Sequence, residues 1–362
     1  MQVLNTPILN MASPPPPFSS SISLSLTLRF ARPASRSEIT AVGISPSSTI
    51  AYAIYAGAQT DQPWIDTFDL RSQTSYSKII GCVAAFSPKV HSSPSPSRLR
   101  ISTITSRSSP ASASASSTSA SSTLASSSSS SALPRIATLS ATLILRDFSS
   151  SKPILELKDV ASPIAWSPDG RCIAAAEPRH RIGVWDVRSG TRSGRVPGHI
   201  DAVTHVAFTP DSLLVTASRD GTLRVTNPAT IKTLYKLEIG ASATNPRALA
   251  VSPDGSTIVS VWGTAVHIWM PQHGQLTSYG LSSTRPCEGW PLCISPDCRY
   301  IASWTEQGFD IMDVASGAVI CTKEGGPLVT SAAFSTDGKT LVLGRMSGDV
   351  EVWNVVNKAD LN

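Results

Sequence analysis

The phrase Ser-Pro-Asp-Gly stands at 167–170 and again at 252–255, and five looser copies share its spacing. The seven phrases begin at Ser45, Ser87, Ser167, Thr209, Ser252, Ser295 and Ser335, at intervals of 42, 80, 42, 43, 43 and 40 residues. A period near forty residues restricts a chain to architectures made of stacked, equivalent units. The one long interval holds a low-complexity stretch that accounts for its excess.

Each phrase has the same surroundings. An apolar run precedes it (PIAWS, HVAFT, ALAVS, SAAFS), a second follows (RCIAAAE, LLVTAS, TIVSVW, TLVLG), and then comes a third (IGVWDV, LRVTN, VHIWM, VEVWNV). The phrase itself has hairpin chemistry. Proline presets φ at the second turn position, aspartate supports the turn, and glycine accepts a positive φ. Each unit therefore reads as strand, tight turn, strand, short loop, strand and a weaker fourth run.

Four-stranded units of this length and grammar resemble the WD-repeat β-propeller family. The signature dipeptides are eroded. Trp-Asp survives at Trp185–Asp186 and is altered at Trp269–Met270, Met312–Asp313 and Trp353–Asn354. Gly-His survives at Gly198–His199. The resemblance implies an all-β, seven-bladed propeller over residues 21–357. It also implies a structural hydrogen-bond network in the blade of His199, Thr216 and Asp220, incomplete because Thr226 occupies the tryptophan position.

The stretch Ser21–Phe30 alternates strictly, with Ile22, Leu24, Leu26, Leu28 and Phe30 on one face. It is surplus to the first unit, whereas the seventh lacks a fourth strand. The resemblance implies that this early strand completes the last blade and closes the ring, removing two raw sheet edges. Residues 1–20 and 358–362 read as tails. A Ser-rich block over about 89–134 reads as a disordered insertion between the first two strands of blade two, because it buries too little apolar surface to offset its ordering entropy.

Charge is uneven. The net charge is +5, but residues 1–158 hold 13 Lys/Arg against 6 Asp/Glu, and residues 159–362 hold 17 against 19. The repeats are thus slightly acidic, which disfavours a nucleic-acid binder. Six scattered cysteines read as reduced thiols of a cytoplasmic or nuclear protein. The acid-free, Arg- and Ser-containing residues 1–37 offer a mitochondrial presequence as the alternative. No apolar run reaches membrane-spanning length.

No catalytic constellation emerges: there is no nucleophile elbow and no phosphate-cradling glycine loop. Cys287, Cys293 and Cys298 lack paired zinc-ligand spacing. No cofactor or metal is expected. The reading is a non-catalytic scaffold for other proteins, a monomer or a subunit of a larger complex; an enzyme or a phosphate- or nucleic-acid-binding propeller is the alternative. Its loops place Arg179, His180, Arg181, Arg219, Trp262, Trp304 and Arg345 at second-to-third-strand connections. Arg247 and Trp290 come from segments leading into blades. These residues form a basic, aromatic rim suited to acidic or phosphorylated segments.

Overall fold

The computed structural model describes residues 22–30, 38–56, 63–72, 75–80, 83–90, 134–140, 142–147, 153–196, 198–240, 245–280, 291–305 and 308–357. Both tails, most of the Ser-rich block and Trp290 fall outside them. Among the described residues every regular element is a strand.

The strands form seven four-stranded antiparallel sheets. The first strand, β1 (Ile22–Phe30), stands apart from the sheet that follows it in the chain. Blade one holds β2 (Ile39–Ile44), β3 (Ile50–Tyr55), β4 (Trp64–Asp69) and β5 (Ser75–Ile80); blade two holds β6 (Val83–Val90), β7 (Pro134–Leu139), β8 (Leu143–Asp147) and β9 (Pro153–Leu157). Blade three holds β10 (Ala161–Trp166), β11 (Cys172–Glu177), β12 (Arg181–Asp186) and β13 (Arg192–Val196); blade four holds β14 (Val203–Phe208), β15 (Leu214–Ser218), β16 (Thr222–Asn227) and β17 (Lys232–Glu238). Blade five holds β18 (Pro246–Val251), β19 (Ile258–Trp262), β20 (Ala265–Met270) and β21 (Gln275–Gly280); blade six holds β22 (Pro291–Ile294), β23 (Tyr300–Thr305), β24 (Gly308–Asp313) and β25 (Val319–Glu324). Blade seven is β26 (Val329–Phe334), β27 (Thr340–Arg345), β28 (Val350–Asn357) and then β1. The first strands β2, β6, β10, β14, β18, β22 and β26 touch one another in that cyclic order, and β26 returns to β2. The chain is a closed, seven-bladed β-propeller.

Among the described residues the buried apolar side chains form no single central core. Seven apolar clusters occur, each in the seam between two neighbouring blades. A middle strand therefore faces a seam on both sides. All six residues of β3 and all five of β15 and β19 are buried, whereas β17 and β21 on the rim are almost wholly exposed. Double-sided burial explains why the second runs read as continuous apolar stretches. The third-strand tryptophans Trp185 and Trp269, and the half-buried Trp353, each fill a seam with the preceding blade.

At six of its seven places the repeated phrase folds as the turn its chemistry dictates; the copy at Ser87–Val90 instead continues the strand β6. Its serine is buried, and the Oγ works twice. Ser167 donates to the Asp169 carboxylate at 2.6 Å and accepts the Cys172 N–H at 2.8 Å. The same pair of bonds recurs at Ser252, Ser295 and Ser335. The fourth turn position has positive φ in Ser48, Gly170, Ser212, Gly255, Cys298 and Gly338. Glycine there avoids a Cβ clash that Cys298, at φ 59°, accepts. A second turn uses the residue closing the third strand: Asp69, Asp186, Asn227 and Asp313 each accept backbone N–H bonds two or three residues on. This is the local reason for aspartate in the Trp-Asp dipeptide.

β1 pairs antiparallel with β28, from Ile22 opposite Asn357 to Phe30 opposite Val350. Ile22 and Leu24 are buried in the seam of blades six and seven. Leu26 departs from the strict alternation read in the sequence. A bulge between Leu26 and Leu28 breaks the register, and Leu26 is 48% exposed. Leu28 keeps its backbone pairing with Val352.

Candidate functional site

One face of the ring carries the serine turns. The opposite face carries the hairpins between second and third strands, together with the loops that lead into each blade. Here six of the seven first strands are bulged at their second position, around Thr40, Ser162–Pro163, Thr204, Arg247, Leu292 and Thr330. A bulge frees a carbonyl on the neighbouring second strand. Where threonine occupies the bulge its hydroxyl fills the gap: Thr40 bonds Ile54 O, Thr204 bonds Ala217 O and Thr330 bonds Gly344 O.

In blade four the loop leading in is clamped to the hairpin of the same blade. His199, whose side chain is 1% exposed, bonds Asp220 Oδ2 at 2.9 Å and Thr222 Oγ1 at 3.1 Å through Nδ1, and Thr216 Oγ1 at 2.8 Å through Nε2. Asp220 also accepts the Ile200 N–H and the Thr222 hydroxyl. Burial pushes His199 down to about 4, with Arg224 pushing the same way and Asp220 opposing. Burial works against ionised Asp220, but bonds from Thr222, Ile200 and His199 outweigh it and hold the carboxyl below its ordinary value. The imidazole is neutral at pH 7. Thr226, in the tryptophan position, is fully buried and turns its hydroxyl to Thr233 at 3.3 Å. Gly198 packs closely, and a Cβ there would stand 3.0 Å from Arg179 O.

Blade seven makes the equivalent clamp with different chemistry. Arg345, at the end of β27, bonds the Pro327 carbonyl of the loop leading in and Glu351 Oε2 on β28. The ion pair measures 2.8 Å, with side chains 4% and 5% exposed. Trp353 Nε1 donates to the same Glu351 oxygen at 3.2 Å.

The residues assigned to the rim from the sequence divide accordingly. Arg179, His180 and Arg219 are exposed, and Arg181 is half-buried. Arg247 is half-buried at the blade-five bulge. Trp262 and Arg345 are each 3% exposed, so neither lines an open rim: Trp262 fills the seam of blades four and five, and Arg345 is held in its ion pair. Both end a second strand, a position that still lies between blades. Trp304 is half-buried against the seam of blades six and seven. Trp290 lies outside the described residues. Two residues that the sequence reading passed over are prominent: Glu351, the buried partner of Arg345, and Ile200, 87% exposed beside His199. The Gly-His dipeptide marks that loop but says nothing of which way its next residue points.

Closed ring, serine turns and His–Thr–Asp clamp together define a propeller of the WD-repeat class. Residues 190–227 match the family model described as "WD domain, G-beta repeat". That span runs from just before β13 to the end of β16, so the sequence repeat takes the rim strand of blade three and three strands of blade four. Similar proteins include Periodic tryptophan protein 2 of Arabidopsis thaliana, 27% identical over 202 residues, covering 53% of this chain and 22% of that protein. Small ribosomal subunit protein RACK1y of Oryza sativa subsp. japonica is 31% identical over 179 residues, covering 46% and 52% respectively. Actin-interacting protein 1 of Caenorhabditis elegans is 28% identical over 201 residues, covering 54% and 32%. The chain thus spans from about a fifth to about half the length of these relatives. Its fold and this matched repeat are those of WD-repeat β-propellers.

Proposed function

We infer that this protein is a non-catalytic scaffold that presents the hairpins and incoming loops of one propeller face to partner proteins. The observation that carries the reading is the clamping of those loops. In blades four and seven a buried side-chain network ties the loop leading in to the blade's own framework. Loops fixed before binding lose little conformational entropy on forming a complex. Exposed Arg179 and Arg219 on that face favour acidic or phosphorylated segments of a partner. Two relatives carry an assembly or partner in their names, the small ribosomal subunit and actin, in keeping with a role in assemblies.

The test is recovery of the tagged full-length chain from cell extract by size exclusion, with mass spectrometry of what travels with it. A reproducible set of co-migrating proteins is the expected result. A chain that elutes alone, with nothing recovered above the untagged control, sinks the reading.

A further inference from the structure

Three segments on the loop face are hydrogen-bonded side by side. The blade-three hairpin between β11 and β12 carries Arg179 and His180, both exposed and both in the left-handed region, at φ 64° and 57°. The His199 N–H donates to His180 O at 3.1 Å, which ties that hairpin to the loop leading into blade four. On its other side the same loop is tied to the blade-four hairpin: the Ile200 N–H donates to Asp220 Oδ2 at 3.0 Å, and the Arg219 N–H donates to Ala202 O at 2.9 Å. Ile200 therefore stands between two cationic hairpins. It is the most exposed of the large apolar side chains among the described residues. Its backbone is fixed by the buried His199–Asp220 clamp, so the side chain is held out in water by a rigid base.

An isoleucine so exposed gains by burial, and guanidinium groups on both sides select the charge of what buries it. The exposed carboxylate in this segment, Asp201, already accepts the Ala202 N–H at 2.6 Å. We propose that Arg179, His180, Ile200 and Arg219 form a docking site for an acidic protein segment bearing an apolar side chain between its carboxylates. Ile200 supplies the apolar contact, and Arg179 and Arg219 take the flanking carboxylates as exposed charges, so the attraction weakens with salt. This rests on the scaffold reading above and names the partner chemistry for one part of that face. Bare nucleic acid would satisfy the arginines and leave Ile200 uncovered.

The experiment uses the full chain and three short fluorescent peptides, followed by anisotropy at physiological salt. The first is rich in Asp and Glu around a central Leu-Phe pair, the second has Ser-Ser in place of that pair, and the third has lysines in place of the acids. The first binds; the second binds about tenfold more weakly, and the third does not bind. Ile200→Asp and the double variant Arg179→Glu/Arg219→Glu each lower affinity for the first peptide by about tenfold or more. All three positions are exposed, and an unchanged melting temperature confirms that each variant is folded. Equal binding of the first two peptides, or insensitivity to Ile200→Asp, overturns the proposal. So does failure of the first peptide to bind. The size-exclusion profile of Ile200→Asp separates the two readings. If wild type and variant both keep their associated proteins, the scaffold stands and this site falls; if wild type has none, the scaffold itself falls.

Discussion

Blade four and blade seven do the same job with opposite materials. Blade four is continuous in sequence, and its clamp is a neutral imidazole bonded to a carboxylate and two threonines. Blade seven is assembled from both ends of the described chain, and its clamp is a buried Arg345–Glu351 ion pair. These two blades thus share a tether between the loop leading in and the blade framework, made with different chemistry. A buried ion pair costs much desolvation and is fragile to loss of one partner. A neutral histidine network avoids that cost but becomes sensitive to acid.

The most severe break is removal of β1. Without residues 1–30, β28 becomes a raw edge, and the seam containing Phe309, Ile311, Leu341 and Leu343 loses Ile22 and Leu24. Thermal denaturation and size exclusion should show loss of the cooperative transition and association through the open edge. An equally heat-resistant monomer would remove the closing role of β1. Next comes Glu351→Gln, which strands Arg345 in the interior and should cost about 3–5 kcal/mol by chemical denaturation. The double variant Arg345→Met/Glu351→Leu should recover most of that loss, because it leaves no uncompensated charge.

A smaller effect tests whether blade four lacks anything. Thr226→Trp restores the family residue, yet the site is fully buried and bonded to Thr233. Overpacking there should destabilise by about 1–3 kcal/mol rather than help. The mildest perturbation is acid. The free imidazole titrates near 6.5 and the folded one at about 4, so the unfolded chain binds the proton first. The contribution of His199 is complete above about 6.5 and drains away as pH falls toward about 4. Half-buried His205 and His267 are shifted in the same direction, so the readout is a difference. In melting temperature against pH, His199→Asn should start lower at pH 7 and fall less steeply on acidification. Parallel curves would show that the clamp does not titrate.

Much of this was legible in the residues. Ser-Pro-Asp-Gly encodes a hairpin by its own bonding, so the number and spacing of blades can be read directly. The alternation of Ser21–Phe30 and the missing fourth strand at the C-terminal end pointed to ring closure. His199, Thr216 and Asp220 were legible because a polar network needs particular groups at particular spacings. The burial of Trp262 and Arg345 was not. A strand enclosed on both sides carries no period-two signal, so nothing in VSVWG or VLGRM tells where the seam ends and water begins. Leu26 was misplaced for a different reason: a bulge depends on the partner strand and leaves no mark in the alternation that it interrupts.

Ile22 faces Asn357 across the last pairing of the wheel, so the two free ends of the described ribbon are neighbours. A genetic linker between those points could be short, and the break could then be moved to any serine turn without disturbing a seam. A circular permutant opened there would still have one blade stitched from both ends, and only the position of that stitch would change. The molecule has a joint but no fixed beginning.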